Sequence, residues 1–216
     1  RHRLGSNEAP DGPHPSVRAA VAAAFAGANR YPDLRGETLA EALARRHGLP
    51  PEAVAVGAGS IVLLDQLIRA WCDPSDEVVT PWRSYEAYPI LTGLAGARMV
   101  EVPLDAAARL DPARLLASVG PRARVVLICN PNNPTGTALS EGAVDGLLAA
   151  LPQDVLVILD EAYADYAGDA ADVASAPARR LARHANLAVL RTFSKAWGLA
   201  GMRVGFCLAD PRIIAA

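Results

Sequence analysis

Along this chain, short aliphatic and β-branched runs alternate with amphipathic stretches, and that alternation limits the fold more than any other feature. The runs are Glu77–Thr80, Arg98–Val102, Arg124–Asn130, Val155–Asp160, Leu187–Phe193 and Arg203–Leu208, and most end in polar or turn-forming residues. The amphipathic stretches are Ser16–Ala28, Glu37–His47, Ser60–Trp71, Glu141–Leu151 and Ala178–His184, with apolar residues three and four apart. The first periodicity is that of strands and the second that of helices. Gly48 is the expected C-cap of the second helix and Ser140 the expected N-cap of the fourth. Strands that alternate with helices pair mostly in parallel, and the crossovers cover both faces of the sheet. The unbroken runs Val125–Cys129 and Val155–Leu159 suit central strands buried on both sides. The expectation is therefore an α/β fold, with three layers and a mostly parallel sheet.

Composition narrows the function classes. Apolar residues make up 51% and charged residues 20% of the 216 positions, the reverse of the bias that keeps a chain disordered. The formal net charge of −2 gives no field that would draw the chain to nucleic acid or to an anionic membrane. The longest apolar or glycine run, Ala19–Ala28, is about half of the ~20 residues that a membrane span needs. No charged-apolar-small signal peptide opens the sequence. Cys72, Cys129 and Cys207 are odd in number and set among apolar neighbours, so they read as reduced, buried thiols of a cytoplasmic protein. No internal repeat, heptad or low-complexity linker is present.

Of the 21 basic residues, Lys195 is the single lysine. A guanidinium stays protonated, whereas a lysine amine can lose its proton and attack a carbonyl. A background that writes arginine for every ordinary positive charge thus singles out Lys195, with chance as the competing explanation.

In open α/β sheets, ligands bind beyond the carboxyl ends of the strands, and four segments stand there. Val56-Gly57-Ala58-Gly59-Ser60 leads into a helix whose free N–H groups suit an anion, although ordinary turn chemistry also fits. A dinucleotide site is disfavoured because the full G-x-G-x-x-G spacing is missing. Asn130-Pro131-Asn132-Asn133-Pro134-Thr135-Gly136 is a stiff loop that fixes its asparagines, with Asn133–Pro134 a candidate cis peptide. The run Val155–Leu159 ends in Asp160, a carboxylate that needs either a local capping role or a positive partner, from Lys195 or from a bound cationic group. Finally, Thr192, Ser194, Lys195 and Arg203 gather two hydroxyls and a guanidinium, which suit a phosphate monoester, around the amine. One ligand answers all four: a phosphate, a ring-nitrogen cation, a phenolic oxygen and an aldehyde together make pyridoxal 5′-phosphate.

The ordered set Ser6-Asn7-Glu8, Arg30-Tyr31-Pro32-Asp33, Gly57–Ser60, Trp82-Arg83-Ser84-Tyr85-Glu86, Asn130–Gly136, Asp160-Glu161-Ala162-Tyr163 and Thr192–Arg203 resembles the fold-type-I pyridoxal-phosphate aminotransferases. The resemblance is greatest to the histidinol-phosphate aminotransferase branch, and within it to the actinobacterial aromatic or phenylalanine aminotransferases. It implies that Lys195 bonds covalently to the cofactor, that Asp160 pairs with the ring nitrogen, and that Asn133 and Tyr163 hold the phenolic oxygen. Tyr85 is the ring expected to stack on the cofactor, with Trp82 the second choice. Gly59, Ser60, Thr192, Ser194 and Arg203 are expected to hold the phosphate. Tyr31 is similar to a tyrosine that reaches the phosphate of the neighbouring subunit, which implies a homodimer.

The same resemblance implies an N-terminal arm and small-domain segment over residues 1–35 and a cofactor-binding large domain over 36–216. A further C-terminal small domain, carrying the arginine that clamps the substrate carboxylate, is expected beyond Ala216. Ile61 stands where the family often has an acidic residue, and Trp197 where it often has tyrosine. The activity implied is ping-pong transfer of an amino group between an aromatic amino acid or histidinol phosphate and a 2-oxo acid such as 2-oxoglutarate. A related threonine-phosphate decarboxylase reaction, or a non-catalytic aminotransferase-like domain, are the alternatives. Balanced charge, the lack of a helix-turn-helix and above all the intact Lys195, Asp160 and Asn133 weigh against the last.

Overall fold

The computed structural model describes residues 5–167 and 177–216. Among the described residues there are seven strands: β1 (Val54–Gly57), β2 (Glu77–Trp82), β3 (Arg98–Pro103), β4 (Ala123–Cys129), β5 (Leu156–Asp160), β6 (Leu187–Thr192) and β7 (Gly205–Ala209). They form one sheet in the order β1-β7-β6-β5-β4-β2-β3. Strand β7 runs antiparallel to both its neighbours, and every other pairing is parallel. The helices are α1 (Pro15–Ala24), α2 (Glu37–His47), α3 (Ser60–Trp71), α4 (Ala87–Leu94), α5 (Pro112–Ala117), α6 (Glu141–Ala150), α7 (Pro177–Leu181) and α8 (Pro211–Ile214). Apolar residues of α2, α5 and α6 pack on one face of the sheet, and those of α3, α4 and α8 on the other. The expected three-layer, mostly parallel α/β architecture is what the chain adopts.

Strand parity explains how the layers form. In the three central strands, Val126, Ile128, Val157, Leu159, Leu187 and Val189 join the α2/α5/α6 layer, while Val125, Leu127, Leu156, Ile158, Ala188 and Leu190 join the α3/α4/α8 layer. Successive side chains point to opposite faces, so a strand buried on both sides must be apolar at every position. The same parity aims Cys129, Asp160 and Thr192, at the carboxyl ends of β4, β5 and β6, towards the α3/α4 side. Glu161 is the next residue and points the other way, where Arg191 donates to it at 2.9 Å and Arg180 lies 3.7 Å from it.

The cap assignments hold. Gly48 closes α2 in the left-handed conformation, and the Ser140 hydroxyl accepts from the Ala143 amide at the start of α6. Cys72, Cys129 and Cys207 are unpaired and buried.

Several boundaries differ from those expected; the last amphipathic stretch, Ala178–His184, is helical over Pro177–Leu181, and β2 runs on to Trp82. The first helix is α-helical from Pro15 and ends at Ala24, giving way to a 3₁₀ turn over Phe25–Gly27. Strand β4 stops at Cys129, because Asn130 turns to exchange side-chain hydrogen bonds with Leu139. The strand expected from Arg203 starts instead at Gly205, because Arg203 takes a positive φ of 53° that sends its side chain back towards Ser194. Strand β1 and helices α4, α5 and α8 were not marked by periodicity. β1 has four residues, α4 carries Pro89 at its third position where no amide hydrogen is needed, and α5 and α8 are only six and four residues long, capped by Asp111 and Asp210.

Candidate active site

The four strand-end segments converge on one cavity of about 390 Å³. Ser60, Tyr85, Asn133, Asp160, Tyr163, Thr192, Ser194, Lys195 and Arg203 line it, together with Ile61, Cys129 and the N-terminal residues Gly5–Glu8. Gly59 borders it through the Arg203 guanidinium, which lies where a β-carbon at Gly59 would stand. Trp82 is not among the lining residues, and its ring carries the Arg83 guanidinium 4.6 Å from its centroid instead. Tyr31 is also apart from the cavity, with its side chain 99% exposed. Trp197 lies outside too, in an edge contact with Phe193.

Asp160 ends β5 at the floor of the cavity and is only 5% exposed. Burial pushes its carboxyl above the usual range, against the stabilising hydrogen bonds from the Tyr88 hydroxyl at 2.9 Å and the Ala162 amide at 3.1 Å. Among the described residues no cation forms an ion pair with it, although the Lys195 charge favours its ionised form from a distance. The capping alternative is answered in part, since one oxygen takes the Ala162 amide while the other faces Tyr88.

Lys195 reaches across the cavity mouth. Its Nζ donates to the Asn7 carbonyl at 2.7 Å and lies 5.4 Å from the centroid of the Tyr163 ring. The Asn7 amide group in turn donates to the Tyr163 hydroxyl at 3.0 Å and to Asn133 Oδ1 at 3.4 Å. Asn7 thus touches three of the residues singled out from sequence. Its position in Ser6-Asn7-Glu8 was the only signal, and nothing local assigns it a role. Tyr88 and Asn132 were also missed. Asn132 accepts from the Ser84 hydroxyl at 2.7 Å and donates to the Arg83 carbonyl at 3.0 Å, which ties the Asn133 loop to the Tyr85 segment. Asn133–Pro134 is cis, as is Asn130–Pro131.

The anion-binding side is built around the start of α3. Gly59, at φ 84°, turns the chain so that α3 begins at Ser60 with its amides free of side-chain caps. Such a helix start is favourable for an anion. Arg203 Nη1 donates to Ser194 Oγ at 3.2 Å and to the Ala200 carbonyl at 3.0 Å, which sets the guanidinium beside that helix end. Thr192 Oγ1 accepts from the Ser194 amide at 3.0 Å and donates to the Val204 carbonyl at 3.4 Å, so it also shapes the loop. Gly205 is required by close approach: a β-carbon there would stand 2.7 Å from the Gly59 carbonyl carbon and 2.9 Å from Ser60 Cα. Gly205→Ala therefore has to push β7 away from the start of α3, at a cost of about 1–3 kcal/mol. Urea unfolding should show this loss without a change in slope.

The residues present suit a phosphorylated, cationic, aldehyde-bearing ligand. A glycine-lined cradle with a guanidinium stands on one side, a buried and unpaired carboxylate below, two phenolic or amide donors across, and a primary amine at the mouth. Fold and site together define an α/β domain whose strand-end cavity has a lining that suits such a ligand, with a primary amine at its mouth.

Comparison with known proteins gives the family. The profile described as aminotransferase class I and II matches residues 2–216. The chain belongs to that family. It is 51% identical over 212 residues to the aromatic amino acid aminotransferase of Thermobifida fusca, covering 98% of this chain and 58% of that protein. It is 49% identical over 214 residues to the aromatic amino acid aminotransferase of Rhodococcus jostii, covering 99% of this chain and 59% of that one. Among solved structures it is similar to histidinol-phosphate aminotransferase from Sinorhizobium meliloti in complex with pyridoxal-5′-phosphate. That likeness has 36% identity and a TM-score of 0.91 over 97% of this chain and 56% of the other. The chain therefore spans just under three fifths of the length of these relatives.

Proposed function

We propose that this chain is the cofactor-binding part of a pyridoxal-phosphate aminotransferase that moves the amino group of an aromatic amino acid to a 2-oxo acid. The observation that carries the reading is the single lysine, Lys195, sharing one cavity with the buried carboxylate of Asp160 and the glycine cradle at Gly59. Ser60, Ser194, Arg203 and the Gly59 backbone would hold the phosphate, Asn133 and Tyr163 would donate to the phenolic oxygen, and Tyr85 would stack on the ring. When bound, the cofactor supplies a conjugated cationic ring that accepts the electron pair left when the substrate loses its Cα proton.

The protein's own residues do the rest. Lys195 Nζ, in its unprotonated form, takes the Cα proton, and a well-placed base of this kind contributes about 10²–10⁴-fold to the rate. Asp160, ionised once it faces a cation, holds a proton on the ring nitrogen and keeps the ring positive. Donors from Asn133 and Tyr163 stabilise negative charge on the phenolic oxygen. The strained backbone of Arg203 is the cost of bringing a guanidinium back to the α3 start.

A division into an N-terminal arm and small-domain segment over 1–35 and a large domain over 36–216 fits the packing, since α1 has no buried residue whereas α2 contributes Ala40, Leu43 and Ala44 to the core. The exposed rings of Phe25 and Tyr31 support a homodimer in which Tyr31 serves the neighbouring site. The three unpaired thiols support a cytoplasmic location.

Histidinol phosphate is the second donor, favoured by the likeness to the Sinorhizobium enzyme. The full-length protein, loaded with pyridoxal phosphate, decides between them by steady-state comparison of phenylalanine with histidinol phosphate. A kcat/KM that favours phenylalanine supports the first reading, and a strong preference for histidinol phosphate replaces it.

A further inference from the structure

Among the described residues, Tyr88 is the one fully buried aromatic side chain in the α3/α4 layer, with no exposed surface, yet it carries a hydroxyl where phenylalanine would pack as well. A buried phenol is costly unless it is hydrogen-bonded, and here the partner is Asp160 Oδ2, at 2.9 Å. The Tyr88 ring also meets the Tyr85 ring edge-on, with centroids 5.6 Å apart and planes at 84°. The two tyrosines are one helical turn apart, joined by the hydrogen bond from the Tyr88 amide to the Tyr85 carbonyl at 3.0 Å. Tyr88 does not line the cavity, but it touches both the carboxylate on its floor and the ring on its wall.

We infer that Tyr88 is a positioning residue: its hydroxyl locks and stabilises the ionised Asp160 carboxylate, and its ring edge fixes Tyr85, so that one buried side chain sets both the group that would pair with the ring nitrogen and the group that would stack on the ring. This rests on the pyridoxal-phosphate reading above. An ionised carboxylate accepts at both oxygens, and the Ala162 amide occupies only Oδ1. Without the Tyr88 hydroxyl, Oδ2 has lost its buried donor, and the proton shared between Asp160 and a bound ring nitrogen moves towards Asp160. With Asp160 holding that proton less firmly on a bound cofactor, the Lys195 nitrogen through which the cofactor would attach would keep its own proton to higher pH. The other ionisable groups around Asp160 are Cys129 on β4, which also meets the Tyr88 hydroxyl, Glu161 just beyond β5, Tyr85 before α4, and Lys195. The Cys129 thiol is pushed up to about 12 by burial, so it stays protonated across the range.

The test is a pH titration of the visible absorption of the full-length holoenzyme, with cofactor affinity measured beside it. Tyr88→Phe should move the spectral midpoint up by about 0.5–1 pH unit and weaken cofactor binding about tenfold, the scale of a hydrogen bond to a charged group. In an Asp160→Asn background the same substitution should move the midpoint no further, because the coupling runs through the carboxylate. Should Tyr88→Phe fail to fold, 3-fluorotyrosine in place of Tyr88 keeps the shape and donates more strongly, and the midpoint should fall. A lowered melting temperature with an unmoved midpoint, or an unmoved midpoint with the fluorinated side chain, overturns the inference. A wild-type protein that develops no visible band with pyridoxal phosphate overturns the functional reading itself, and this inference with it.

Discussion

Lys195→Ala should abolish both amino transfer and the borohydride-stable attachment of the cofactor to the protein. The wild-type protein, reduced and digested, should give a peptide around Ser194–Trp197 heavier by one pyridoxyl group, and the variant should give none. Lys195→Arg should behave like the alanine variant, because a guanidinium holds its proton at any pH at which the enzyme works. The loss of the base alone costs about 10²–10⁴-fold in rate, and the loss of the covalent step adds to it, so turnover should fall below detection. Cofactor should still bind either variant, more weakly, because Arg203, Ser60 and Asp160 are untouched. Turnover by Lys195→Arg within tenfold of wild type would remove Lys195 from its role. The contact between Nζ and the Asn7 carbonyl makes the alanine variant informative in another way. If Lys195 also anchors the N-terminal arm, proteolysis near Gly5–Glu8 should be faster in the variant.

The contrast between Lys195 and Asn7 shows where sequence reading stops. Lys195 stands out in one dimension, as a unique residue at the end of a strand run. Asn7 lies 188 residues away in sequence, and no local periodicity predicts that the segment around Asn7 crosses the mouth of the cavity. Central strands were legible because burial on both faces forces apolar residues along Val125–Cys129 of β4 and Leu156–Leu159 of β5. Strand β1 was not, because four residues at the edge of the sheet are too short for a pattern. The glycine turn into α3 was legible as Gly57–Ser60, but the need for Gly205 was not, since it arises from the approach of two backbones that only the sheet order brings together. Tyr88 was hidden for a related reason. Which face of β5 carries Asp160 follows from strand parity, whereas the helix that supplies its donor depends on how α4 packs, and Pro89 disguises that helix in the sequence.

Asp160→Asn should separate stability from activity. In the cofactor-free protein, burial raises the Asp160 carboxyl above its unfolded value, so between those two values the folded state holds a proton that the unfolded state has lost. Stability then falls as pH rises through that interval, and the penalty is complete above the folded value. Asparagine carries no charge to desolvate. Its Oδ1 can accept from the Ala162 amide and its Nδ2 can donate to the Tyr88 oxygen, which leaves only the Tyr88 proton to find a new acceptor, with the Cys129 sulfur beside it. The apo variant should therefore melt higher than wild type at neutral pH, and the gap should close as pH falls below the ordinary carboxylate range of about 4. Added pyridoxal phosphate should reverse the order, because only the carboxylate gains a cationic partner and ligand binding stabilises in proportion to affinity. Activity should fall by about 10²–10³-fold, as when one preorganised electrostatic partner is removed. Differential scanning of both proteins, with and without cofactor across pH, reads all of this at once. An apo variant less stable than wild type at every pH would mean that the Asp160 charge is already compensated within the fold, and its availability to a bound cation would have to be given up. The sign of that one difference therefore tells whether β5 ends in a carboxylate that the fold tolerates only for its ligand.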